Sequence, residues 1–284
     1  MQTVSSNELL STLSKVTIIG NANGKLDIPS SGATFIFNGT KPDNNQSGKA
    51  ETLINISNGP FAGSTCPFVI SGSLDEHDSE SLTLQLIEIA ESLEKELNCW
   101  PSTGLVTIIL MSRLSTQIEV KRMSLLPSLR REMEMPIEDH LPCMVHNWLG
   151  ERRIALAISA PNLSWPELQL TQPLSNKALD NQIELADYNY QCPFELLTQV
   201  HQHAHNEFTS SADMLNILNY LSTTHIELWL QHSTQEKLLS CELMFFNQTP
   251  EQTASFWYLV DNQASQYLDD IRHRLAYCQQ VFNE

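Results

Sequence analysis

Four short apolar runs, each closed by small or polar residues, set the frame for this chain. Val16–Gly20, Ala33–Asn38, Thr52–Ile56 and Pro67–Ser71 carry β-branched and aromatic residues in strand-length stretches, and Leu82–Leu97 then has the spacing of an amphipathic helix. Such an alternation, with Gly, Asn and Ser gathered where the runs end, predicts an open α/β sheet. In that architecture the ligand lies beyond the C-terminal ends of the strands.

Three polar elements fall at those ends. Val16-Thr17-Ile18-Ile19 delivers Gly20-Asn21 and continues through Asn23-Gly24-Lys25-Leu26 to a run ending Phe35-Ile36-Phe37-Asn38. Pro101-Ser102-Thr103-Gly104-Leu105 opens a largely apolar stretch to Leu114. A Ser-Thr-Gly turn at a helix start offers two hydroxyls and unpaired backbone N–H groups to a phosphate or carboxylate. The same residue types also serve as plain helix caps. The third element is His146, with Glu151 after four intervening residues and Arg152-Arg153 directly behind.

A neutral imidazole is basic enough near neutral pH to deprotonate a hydroxyl. Five positions apart, His146 and Glu151 would not share one face of a continuous helix. The geometry expected is therefore His146 in the entering loop and Glu151 in the first turns, orienting the ring or a backbone N–H. Asn21, Asn23 and Asn38 each carry donor and acceptor atoms, suited to ribose, phosphate or base edges, and are equally at home in turns. A P-loop is excluded because Leu26 stands where a hydroxyl must bind magnesium.

In this order the segments resemble the motifs of the sialyltransferases. Gly20-Asn21 through Leu26 to Phe37-Asn38 resembles the large sialylmotif, Pro101-Ser102-Thr103-Gly104-Leu105 the small one, and His146 to Glu151 the very small one. The resemblance spans roughly residues 14 to 155. It implies a Rossmann-like, GT-A-like fold and a metal-independent transfer without a cofactor. Sialic acid, or a related 2-keto sugar acid, would pass from a CMP-activated donor to a glycan hydroxyl. Gly20, Asn21, Asn38, Ser102, Thr103 and Gly104 would bind the donor, His146 would act as base, and Glu151 would support it. Two positions depart from the pattern. Ile36 replaces an arginine expected two residues before Asn38, and Gln117–Met123 lacks an aromatic-Gly ending. They admit a second reading, a non-catalytic relative that binds a nucleotide sugar or another protein.

Charge narrows the partners further. The formal net charge is −17, which disfavours nucleic acid as a partner. Residues 1 to 153 hold 12 Lys/Arg against 18 Asp/Glu, while residues 154 to 284 hold four against 15. Arg113, Lys121, Arg122, Arg130, Arg131, Arg152 and Arg153 form one basic stretch, expected to help attract an anionic donor, with Arg130-Arg131 and Arg152-Arg153 alternatively read as solvated surface pairs.

The six cysteines stand singly, without metal-ligand spacing, and read as reduced core thiols. Acidic Ser73–Ser79, with His77, reads as support for a helix dipole rather than a metal site. His201, His203 and His205 read as an exposed helix face. No apolar run approaches the roughly 20 residues of a bilayer span, and residues 1 to 15 lack the pattern of a leader. A cytoplasmic location follows as the expectation, with peripheral membrane association open.

Around Pro161-Asn162 the chain changes character, which divides it into a nucleotide-sugar domain at 1–160 and a mostly helical region at 161–284. In the second region, 193–206, 211–222 and 251–282 predict helices and Ile226–Leu230 predicts a strand.

Overall fold

A computed structural model describes residues 11–22, 28–39, 52–129, 145–173, 192–204, 211–246 and 262–283. Its compact units are two: Met1–Leu125 with Ile154–Gln169, and Leu126–Arg153 with Leu170–Glu284. The sequence placed one boundary near residue 160. The division instead interleaves, with residues 126–153 belonging to the second unit.

The first unit is α/β. Its strands are β1 (Lys15–Ile19), β2 (Ala33–Phe37), β3 (Thr52–Asn58), β4 (Phe68–Gly72), β5 (Gln117–Lys121) and β6 (Leu163–Ser164). They form one mixed sheet in the order β4-β3-β2-β1-β5-β6, parallel throughout except for the antiparallel β3–β4 pair. All five residues of β2 are buried, as a parallel strand covered on both faces requires. From β1 the order runs one way to β2 and β3 and the other way to β5 and β6, so it reverses between β1 and β5.

A four-residue helix, α1 (Gly59–Ala62), joins β3 to β4. Beyond β4 come α2 (Glu76–Leu97) and α3 (Thr103–Leu114). Asp75 caps α2 by accepting from the Asp78 amide at 2.8 Å, and Glu76 and Asp78 sit in the first turn, where the dipole favours negative charge. Leu82, Leu86, Ile89, Leu93 and Leu97 form its buried stripe, each such side chain contributing about 1.5–3 kcal/mol. Helix α3 is buried nearly all round because it packs against α2 and against β1, β3 and β5.

The second unit is helical in its described residues. It holds the N-terminal part of α4 (Trp148–Leu156), then α5 (Pro193–Ala204), α6 (Ser211–Thr223), α7 (Ile226–His232), α8 (Gln235–Glu242) and α9 (Asn262–Asn283). Its core gathers Phe194, Leu197, Leu218, Leu221, Trp229, Leu268, Ile271 and Leu275, with Phe194 and Trp229 edge to face at 5.1 Å. Segment Leu126–Leu129 joins that core, held by Asp269 of α9, which accepts from the Leu129 amide at 2.8 Å and the Ser128 hydroxyl at 3.1 Å.

The strand expected at Ile226–Leu230 is a correction: those residues lie in α7. Five residues of alternating pattern satisfy either period. Burial of Ile226 and Trp229, three apart, decides for the helix. The helices expected at 193–206 and 211–222 correspond to α5 and α6. Positions 205–206, and 251–261 of the last expected helix, lie outside the described residues.

Candidate functional site

All six residues expected to bind a donor lie in the first unit. The Gly20 amide donates to the Lys121 carbonyl at 2.9 Å, which carries the β1–β5 pairing one residue past Ile19. A Cβ at Gly20 would collide with the Arg122 carbonyl and stand 2.9 Å from Met123 Cβ. Glycine is therefore required there for close packing. Asn21 follows as an exposed residue, and Asn23 lies outside the described residues.

Asn38 adopts φ 51° at the end of β2, a left-handed conformation that asparagine tolerates better than most residues. Its Oδ1 accepts from the Asn58 amide at 3.0 Å, and its own amide donates to the Ile56 carbonyl at 3.2 Å. That acceptor atom thus ties β2 to β3. Ile36, where an arginine was expected, is buried beside Ile19 with Ile28 and Leu53 packed against them.

Ser102 is the N-cap of α3, its Oγ accepting from the Leu105 amide at 3.3 Å. The Thr103 and Gly104 amides take no partner among the described residues. A Cβ at Gly104 would lie 2.6 Å from Met123 Cε and 3.9 Å from Phe37 Cε2. Phe37 ends β2 and Met123 follows β5, so the first turn of α3 sits at the C-terminal edge of the sheet. Gly20-Asn21, Asn38 and Ser102–Gly104 share that edge.

Sequence reasoning counted Arg122 only as one of several cations, but it is central to this edge. Its φ is 55°, its amide donates to Glu167 Oε1 at 3.1 Å, and its Nε donates to the Ala22 carbonyl at 2.6 Å. Trp165 Nε1 donates to the neighbouring Met123 carbonyl at 2.6 Å. The left-handed backbone at position 122 is one that glycine adopts freely.

His146 and Glu151 lie in the second unit. His146 precedes α4 and Glu151 is in its first turn, the local geometry expected from their spacing. Nδ1 of His146 stands 3.8 Å from Glu151 Oε1, an electrostatic contact longer than a hydrogen bond. The Glu151 side chain is fully buried and that of His146 is 24% exposed. The imidazole also meets Trp148 edge to face at 5.0 Å. Asn147 caps the helix, its Oδ1 accepting from the Gly150 amide at 3.0 Å.

Arg152 and Arg153 do not form the solvated surface pair that was one expectation for them. Arg152 is wholly buried, and burial, with the Arg272 charge second, pushes its pKa down to about 10. Arg153 Nε donates to Glu242 Oε1 at 2.8 Å. Lys121 pairs with Glu119 at 3.1 Å, and Arg130 and Arg131 lie outside the described residues. Net charge along a sequence does not reveal which cations are buried.

Among the described residues no three His, Cys, Asp or Glu side chains gather as metal ligands would, and no helix is long and apolar enough to cross a membrane. The His203 side chain, His205 and Cys143 lie outside the described residues. Comparison of the chain with models of known protein families, with curated proteins and with solved structures finds no match.

Proposed function

We propose that this chain is a metal-independent glycosyltransferase of sialyltransferase type, acting on a CMP-activated sialic acid or related 2-keto sugar acid, with a Rossmann-like, GT-A-like nucleotide domain. One relationship carries the proposal. Gly20-Asn21, Asn38 and Ser102–Gly104, distant in sequence, share the C-terminal edge of a mostly parallel sheet whose strand order reverses between β1 and β5. Open α/β sheets bind ligands at such edges. The Thr103 and Gly104 amides and the α3 dipole supply what an anionic group needs there.

In the transfer, the bond from the sugar's anomeric carbon to the CMP phosphate breaks, and the acceptor oxygen bonds that carbon. The acceptor proton goes to a base, and CMP leaves with the bonding electrons. His146 is assigned the base's role. Nδ1 faces the buried Glu151 carboxylate at 3.8 Å, and in the tautomer protonated at Nδ1 the basic atom is Nε2. Glu151 acts on the ring rather than on substrate.

The second reading, a non-catalytic nucleotide-sugar-binding or protein-interaction relative, draws on Ile36, whose buried apolar side chain offers no charge to a ligand. His146→Ala separates the two. The enzyme reading predicts that the wild type turns over CMP-sialic acid, and that His146→Ala loses at least a hundredfold in turnover while donor affinity stays within threefold. Full activity in the variant removes His146 from the base role; donor binding without turnover in the wild type favours the binding reading.

A further inference from the structure

At the C-terminal edge of β5 the backbone is built around Arg122 in a conformation that costs an arginine more than a glycine. Its φ of 55° is left-handed. Four hydrogen bonds surround it: Gly20 amide to Lys121 carbonyl at 2.9 Å, Ala22 amide to Arg122 carbonyl at 3.4 Å, Arg122 amide to Glu167 Oε1 at 3.1 Å, and Trp165 Nε1 to Met123 carbonyl at 2.6 Å. Gly20 has no room for a side chain because of the Arg122 carbonyl. The packing is thus arranged to keep this residue in place.

The guanidinium is fixed at one end only. Nε donates to the Ala22 carbonyl at 2.6 Å, which lays the group along the chain leaving β1, beside the reversal of strand order. Its two terminal nitrogens take no partner among the described residues. Among the described residues, Glu167 Oε1 accepts from the Arg122 amide rather than from its guanidinium, and Glu119 pairs with Lys121 at 3.1 Å. A planar fork held this way matches two oxygens of one phosphate, which a point charge does not.

We propose that Arg122 is the anion clamp of the nucleotide site, its terminal nitrogens holding the phosphate of a CMP-type donor. This rests on the nucleotide reading above. The test is calorimetry on the full chain with CMP and with cytidine, for wild type, Arg122→Gly and Arg122→Lys. Glycine accepts the left-handed backbone, so Arg122→Gly is expected to melt no lower than wild type. It should bind CMP at least tenfold more weakly and cytidine within twofold, with Arg122→Lys between it and wild type for CMP. A CMP loss below tenfold in Arg122→Gly, or an equal loss for cytidine, overturns the clamp and leaves the nucleotide reading standing. A wild type that binds neither probe overturns both.

Discussion

The Arg122 carbonyl occupies the space that a side chain at Gly20 would need, and the Gly20 amide donates to the preceding carbonyl, of Lys121, at 2.9 Å. The ends of β1 and β5 are thereby locked at closest approach, where the strand order reverses.

Gly20→Ala tests that lock. The added methyl meets backbone rather than a flexible side chain, so β1 and β5 must separate. Overpacking of this kind costs about 1–3 kcal/mol, read as a fall in the urea midpoint at constant m-value. An unchanged midpoint contradicts the close approach.

Ser102 separates capping from ligand binding. Ser102→Ala loses the acceptor for the Leu105 amide and is expected to cost about 1 kcal/mol. Ser102→Asp supplies another capping oxygen and adds a negative charge at the entrance of α3. Its melting temperature should stay nearer wild type than that of Ser102→Ala, while CMP affinity falls at least tenfold. Undiminished CMP affinity in Ser102→Asp would leave Ser102 as a cap alone.

Much of the first unit was legible because its strands are short β-branched runs punctuated by Gly, Asn and Ser, and α2 announces itself through Asp75 and a regular leucine stripe. The interleaved units were not. Leu126, Leu129 and Leu149 join the helical core through packing against partners far away in sequence. Arg122 read only as one cation among seven for a related reason, since a left-handed arginine has no sequence signature. The contact that brings α3 to the sheet edge links Gly104 to Met123, and hydrophobic patterning does not encode it.

Two core thiols give the second unit a pH signature. Burial pushes Cys241 from its ordinary 9.0 up to about 12 and Cys278 up to about 11. The folded chain keeps these protons after the unfolded chain has lost them. Their contribution is fully present below pH 9 and is lost as pH rises toward 11 and 12. The slope reaches about 1.4 kcal/mol per pH unit for each thiol. Urea midpoints at several pH values from 8.5 to 10.5 should fall less steeply in Cys241→Ala than in wild type, whatever the offset from the cavity. Parallel slopes would contradict the assignment.

Amide hydrogen exchange with and without CMP tests the central claim most directly, because it reports where the nucleotide acts. Slowed exchange is predicted at residues 20–22, 103–106 and 121–124, the segments meeting at the C-terminal edge of the sheet. Protection confined to other segments, or no change at saturating CMP, would contradict the account.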